Sequence, residues 1–289
     1  MSSLGVALAL AGAVVFGTYI FLVKYRFGHY PDSVYVVCVY AIATVLYAPV
    51  AVASDATVPT DPYTLAVLVA VAALGGVAIL AFFRALTLGD VSYVAPVSKV
   101  VPLFVLPIEL ALIPATSLSV LQVAGVLVVT IALYLANYQG DFLTPLRRAV
   151  TLRPGQLALA SAATFGVVDV GKRHLMGDLG VDPAAFVAVL FPVVAVTFAP
   201  LAARQWPADV TVRDDLGALA ALAVLVAVGQ HVVAVAFVEL AASVASPLVN
   251  AQAIVAVVLG GVVLNEPRFR ARLAAAGLAV AGVACIALG

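Results

Sequence analysis

Apolar runs of bilayer length constrain this chain more than any other feature. Ten of them can be drawn: Leu4–Val23, Val34–Ala53, Tyr63–Leu88, Val91–Ile113, Leu118–Asn137, Gln156–His174, Ala184–Ala203, Leu216–Leu240, Ser243–Leu264 and Ala271–Leu288. A helix needs about 20 mostly apolar residues to cross a hydrocarbon core of about 30 Å. The runs are continuous instead of alternating with period two, which excludes a porin-like barrel. Hydrophobic residues make up 65% of the chain and charged residues 10%, against about 45–50% and 25% in soluble domains, so water is not the main solvent. The expected fold is therefore an all-α integral membrane protein with ten transmembrane helices. Fourteen acidic residues balance 14 basic ones, so nothing points to nucleic acid as a partner. Cys38 and Cys285 both lie in apolar runs, without C-x-x-C spacing, and no disulfide, metal or cofactor is expected. The first run is expected to stay in the protein as a helix, because no Lys or Arg precedes it as in a signal peptide.

Polar joints punctuate the runs. Ser54-Asp55, Thr60-Asp61-Pro62, Asp182-Pro183 and Asp214-Asp215 supply turn and N-cap chemistry just outside helix ends. The longest connection, around Gly140, Pro145 and Pro154, divides the chain into residues 1–138 and 156–289, with 139–155 between them. The halves echo each other. LALAGAVVFG (Leu8–Gly17) aligns with LALASAATFG (Leu157–Gly166), and YAPVA (Tyr47–Ala51) with FAPLA (Phe198–Ala202). Ser92 and Pro96 align with Ser243 and Pro247, and AGVLVV in the fifth run with AGLAVAG in the tenth. Self-similarity of this kind marks a duplicated architecture. Five is an odd number, so the second copy enters the membrane from the opposite side and the repeats are inverted. Inverted repeats are the architecture of secondary transporters, whose substrate sites lie near the midplane between the copies.

The motifs R-A-L-x-x-G-D-x-S-x-V-A-P-V (Arg84–Val97), A-F-x-x-x-A-x-S-V-A-S-P-L (Ala236–Leu248) and L-N-E-P (Leu264–Pro267) resemble the drug/metabolite transporter superfamily, specifically its EamA-like ten-helix branch. The resemblance covers essentially the whole chain. It implies a multi-pass protein of the cell membrane that moves a small molecule, not an enzyme, and leaves the substrate open because one scaffold serves many. The first half carries Pro114-Ala115-Thr116 where the second carries Asn265-Glu266-Pro267, so the acidic loop end is present only once. A non-transporting membrane scaffold and a flippase for lipid-linked substrates are the alternatives. No H-E-x-x-H, G-x-S-x-G or phosphate-cradling glycine loop supports an enzyme.

Ionisable groups inside apolar runs are costly, which makes them functional candidates by default. Lys99 lies a third of the way into the fourth run among prolines. It suits the carboxylate or phosphate of an anionic or zwitterionic substrate, or else a structural ion pair with Asp169 or Glu109. Asp169 reads either as a proton-coupling carboxylate or as an interfacial residue beside Lys172 and Arg173 on a shorter helix. Glu109 faces the cavity or the membrane edge, with the edge favoured. His231 is a further proton-coupling candidate, although a lone membrane histidine more often serves as hydrogen-bonded packing. Asn250 is the repeat counterpart of Lys99, and Asn250, Gln252, Tyr19 and Tyr93 complete the expected substrate-binding set. Arg84 is placed to serve a helix C-terminus. Gly277 and Ala281 form a small-xxx-small face suited to a homodimer or, more simply, to packing within one chain.

Orientation is contradictory at this level. The resemblance implies cytoplasmic termini. Lys24, Arg26, Arg147, Arg148, Arg153, Arg204, Arg213, Arg268, Arg270 and Arg272 all fall on the side opposite the termini, which by the positive-inside rule implies the reverse.

Overall fold

The computed structural model describes residues 2–27, 30–88, 97–98, 100–112, 118–136, 143, 147, 150–207 and 212–252, and scattered positions between 254 and 288. Its helices are α1 (Ser3–Arg26), α2 (Asp32–Ala53), α3 (Pro62–Leu88), α4 (Val101–Leu112), α5 (Val120–Ala136), α6 (Arg153–Arg173), α7 (Pro183–Gln205), α8 (Leu216–Glu239) and α9 (Ala242–Asn250). The end of α6 widens into a π-helical turn, His174–Asp178. Five helices, α1, α2, α3, α7 and α8, are long and apolar enough to cross a membrane, and α4 and α5 are shorter apolar helices. The chain is thus an all-helical, multi-pass membrane protein among its described residues. The tenth expected run is described at too few positions to bound a helix.

The helix ends fall where the polar joints predict. Asp61 accepts the Thr64 N–H at 2.9 Å, a bond that holds its carboxyl below the usual carboxylate range. Asp182 accepts the N–H groups of Ala184 and Ala185 at 2.7 and 3.2 Å, with Pro183 pre-set for the first helical position.

Contacts at the helix ends fix their directions. Gly5, at the start of α1, packs on Glu239 and Leu240 at the end of α8, while Arg26, at the end of α1, pairs with Asp215 at the start of α8, 3.3 Å away. The two helices run antiparallel. Tyr63, opening α3, reaches His174 just past α6 at 3.3 Å, and Ser33, opening α2, donates to Gln205, closing α7, at 2.7 Å. The start of α1 and the end of α6 therefore share one face, here the terminal face. Arg26, Arg204 and Arg213 lie toward the other.

The packing partners exchange between halves. α1 packs on α8 as α6 packs on α3, and α1 meets α9 as α6 meets α4. In lipid there is no hydrophobic drive between helices, so close approach depends on small residues. Gly17 on α1 and its repeat counterpart Gly166 on α6 both supply it. A Cβ on Gly17 would lie 2.5 Å from Val255, and one on Gly166 would lie 2.8 Å from Phe104. Val255 and Phe104 are themselves repeat counterparts, 151 positions apart.

The fourth and ninth runs are broken at matching places. Val100 is a turn between helical residues, as is Ala251, its counterpart 151 positions on. Val100 N–H bonds to Val97 O and Leu103 N–H to Val100 O; Ala251 N–H bonds to Leu248 O and Ile254 N–H to Ala251 O. These are i→i+3 bonds, which at Ala251 are shared with i→i+4 bonds to Pro247 O and from Val255 N–H, and each turn lies close to a proline, Pro102 or Pro247, that has no N–H to give the ladder.

Candidate functional site

A cavity of about 260 Å³ lies between the halves, walled by α1, α2, α3, α4, α6, α8 and α9. One face of α6 supplies Ser161, Phe165, Asp169 and Lys172, spaced by three and four residues so that all point the same way. α8 supplies Gln230, Val233 and Phe237, and the broken ninth run supplies Val249, Asn250 and Gln252 on either side of its turn. The first half contributes Phe16, Tyr19, Ile20, Tyr40, Phe82, Ser98 and Val101.

The lining is symmetric in position and asymmetric in chemistry. Phe16 matches Phe165 and Ile20 matches Asp169, both 149 apart; Phe82 matches Val233, Ser98 matches Val249 and Val101 matches Gln252, all 151 apart. Apart from Ser98 and two tyrosines, the polar groups come from the second half.

Those groups form a connected chain. Ser246 Oγ donates to Asp169 Oδ2 at 2.6 Å, and Asn250 Nδ2 donates to the Ser246 carbonyl at 2.9 Å. Lys172 Nζ stands 3.9 Å from Asp169 Oδ1, with both side chains 13% exposed. It also lies 5.7 Å over the Phe237 ring. At 3.9 Å the ion pair is a Coulombic contact without a short hydrogen bond, which leaves both charged heads directional capacity for a ligand.

The expected site residues separate into three groups. Asp169, Asn250, Gln252 and Tyr19 meet at the cavity. Lys99 and Tyr93 lie outside the described residues. Glu109 and His231 are elsewhere. Glu109 does not line the cavity: it is buried, 0% exposed, and its carboxylate accepts the Ala242 N–H at 2.6 Å and the Ser243 N–H at 2.7 Å, at the start of α9 just past the end of α8. His231 Nδ1 contacts the Tyr47 hydroxyl at 2.6 Å, outside the cavity lining. Asp169 is not interfacial, because α6 runs past it to Arg173 and on into the π-helical turn.

Sequence reasoning passed over Lys172, Ser246 and Gln230 as site residues. A signal was present for two of them, since Lys172 is i+3 from Asp169 and Ser246 is i−4 from Asn250. At the end of α8 the last carbonyls are met by Arg173, whose guanidinium donates to Phe237 O and Val238 O at 3.2 and 2.7 Å. Arg84 borders a second cavity of about 940 Å³, with Asp32, Ser33 and Gln205 at its polar end and Leu80, Phe198 and Leu201 along its wall.

Helices exchange partners between the two halves around a cavity whose few polar groups are set in apolar walls. The chain belongs to the EamA-like transporter family, which matches it twice, over residues 3–138 and 154–288, and is consistent with the drug/metabolite transporter superfamily. A solved crystal structure shares the fold at 19% sequence identity with a TM-score of 0.81, covering 100% of this chain and 99% of its own. No curated protein matches the sequence.

Proposed function

We propose that this protein is a secondary transporter of the cell membrane, with ten helices in two inverted five-helix repeats, that moves a small anionic or zwitterionic metabolite by alternating access. The observation that carries the reading is the Asp169–Lys172 pair facing a cavity between the halves. Buried charges are retained in a membrane where they have work to do. A substrate ammonium would compete for Asp169 and a substrate carboxylate or phosphate for Lys172, while Asn250, Gln252 and Tyr19 supply neutral hydrogen bonds. Aromatic walls from Phe16, Phe82 and Phe165 accommodate the apolar part. Lys99 and Tyr93 join the substrate set by their repeat relationship and motif position. Asp169 is the proton-coupling carboxylate of this reading, ahead of His231 and Glu109, since it alone of the three lines the cavity. Gly277 and Ala281, on the last run, would serve a homodimer.

Proteoliposomes loaded in turn with a panel of labelled amino acids, sugar phosphates and organic anions test the proposal. Uptake or counterflow of one class is expected, with the gradient-driven component lost in Asp169→Asn. No movement of any compound, with or without a proton gradient, would refute it. The large cavity bordered by Arg84 and Asp32 favours the flippase as second reading, and a labelled lipid-linked compound belongs in the same panel.

A further inference from the structure

Glu109 is a buried carboxylate that the proposed transport cycle does not use directly. It sits on α4, in the first half, and accepts two N–H groups from α9, in the second. The four N–H groups that open a helix have no partner within it. On α9 those of Val244 and Ala245 bond to Ala241 O, and those of Ala242 and Ser243 bond to Glu109. The N-terminus of α9 is therefore satisfied only while Glu109 is in place. Ser243 Oγ, buried at the same point and without a hydrogen-bond partner, offers no substitute, because it does not cap its own helix. The helix so held is nine residues long and carries Ser246, whose hydroxyl donates to Asp169, and Asn250, which bonds back to Ser246 and lines the cavity. The repeat counterpart of Glu109, 151 residues on, is Gly260, which has no side chain to accept such a bond.

We propose that Glu109 is a positioning residue for the cavity. It ties the N-terminus of α9 to α4 across the two halves and so aims Ser246 at Asp169 and Asn250 at the cavity, without itself touching the substrate. The two fourth helices, one from each half, then move as a single unit. This deepens the transporter reading and rests on it for its biological meaning, but its geometry can be tested without any substrate.

The test uses full-length protein with Cys38→Ala and Cys285→Ala and one reporter, Asn250→Cys, whose reaction rate with a small methanethiosulfonate reagent reads how α9 presents the cavity. Two perturbations attack the same bonds from opposite ends. Glu109→Gln keeps the shape and removes the charge. Ala242→Pro keeps the charge and removes one donor at the first helical position, where proline fits; Ala241 already has φ −58° and ψ 147°, the extended backbone that precedes proline. Each is expected to change the labelling rate roughly tenfold, the equivalent of one charge-assisted hydrogen bond. The double variant should change it no further than the larger single. A serine-to-alanine control at Ser243 should leave the rate unaltered. Unchanged rates in monodisperse protein, or effects of Glu109→Gln and Ala242→Pro that simply add, would overturn the proposal. Should Glu109→Gln fail to accumulate, Ala242→Pro alone decides, with an unchanged rate again overturning it. A protein that transports nothing yet shows the coupled labelling change would lose the transport reading and keep this one.

Discussion

Lys172→Met is the most informative single change in the cavity. The pair it breaks is 3.9 Å long with both side chains 13% exposed, so the remaining Asp169 charge would be left largely desolvated. Removing one member of a buried pair costs about 3–5 kcal/mol. The lower end applies, because Ser246 still donates to Asp169 at 2.6 Å and the cavity adjoins it. We expect a loss of about 3 kcal/mol, which in a chain of this size lowers the thermal midpoint by roughly 6 °C or more. Asp169→Asn should cost less, about 2 kcal/mol, since the surviving ammonium keeps the Phe237 ring at 5.7 Å, a contact worth roughly 1 kcal/mol. The double variant, with Asn and Met in place of the pair, removes both charges and should recover most of the loss, because a neutral replacement of a buried pair is often neutral or stabilising. Thermal scanning of the four proteins in one detergent closes the cycle. A Lys172→Met protein that melts with the parent, or a double variant as unstable as the worse single, would show that the two charges are not coupled.

Other perturbations separate packing from function. Gly17→Ala should destabilise more than Gly166→Ala, because its new methyl would lie 2.7 Å from the Gln252 carbonyl oxygen, a backbone atom, whereas the nearest atom to Gly166 is a Phe104 side-chain carbon at 2.8 Å; overpacking of this kind costs about 1–3 kcal/mol, readable as lost thermal stability. Tyr47→Phe leaves His231 without its 2.6 Å partner and should cost about 1–3 kcal/mol while leaving the transport KM unchanged, since neither residue lines the cavity; a changed KM would return His231 to the coupling machinery. Tyr30, in the connection between α1 and α2, has its hydroxyl pushed up to about 12 by burial and by its bond to Asp215. A raised value means the neutral form is favoured in the folded state, so its contribution is intact below about pH 10 and is lost as pH rises toward 12. Tyr30→Phe should flatten the fall in thermal midpoint over that alkaline window.

Much of this was legible in the sequence, and the physical reasons differ by feature. Helix identity followed from apolar length, and helix ends from Asp61, Asp182 and the prolines beside them, because capping is local chemistry. The duplication was legible since Leu8–Gly17 and Leu157–Gly166 sit in one register, and the structure turns that register into exchanged contacts at Gly17 and Gly166. The prolines marked both runs as broken, but not that the turns fall at Val100 and Ala251, because a proline permits a kink without fixing which carbonyl loses its partner. The capping role of Glu109 was not legible because projection on one helix says nothing about another helix's unpaired N–H groups arriving from the far half. Lys172 was read as interfacial because α6 was expected to end a turn earlier than its π-helical extension allows.

The distribution of charge over a symmetric frame limits how the cavity can work. Position for position, the walls exchange under the repeat relationship, but Ile20 stands opposite Asp169 and Val101 opposite Gln252. Asp169 and Lys172 lie three residues apart on one helix, so their separation is set by α6 and survives any motion of one half against the other. Had the two charges been divided between the repeats, rocking would pull them apart inside the membrane and expose each to the full cost of an unpaired ion. Ser246, on α9, donates to Asp169 on α6, a bond within one half. The Glu109 carboxylate is different. Its bonds cross from one half to the other, so in a cycle of rocking repeats they must either break, at the cost of two charge-assisted bonds and two unpaired N–H groups, or carry α4 and α9 along together. The second course costs less, so the proposed cycle would couple α4 and α9 to each other wherever the two halves part.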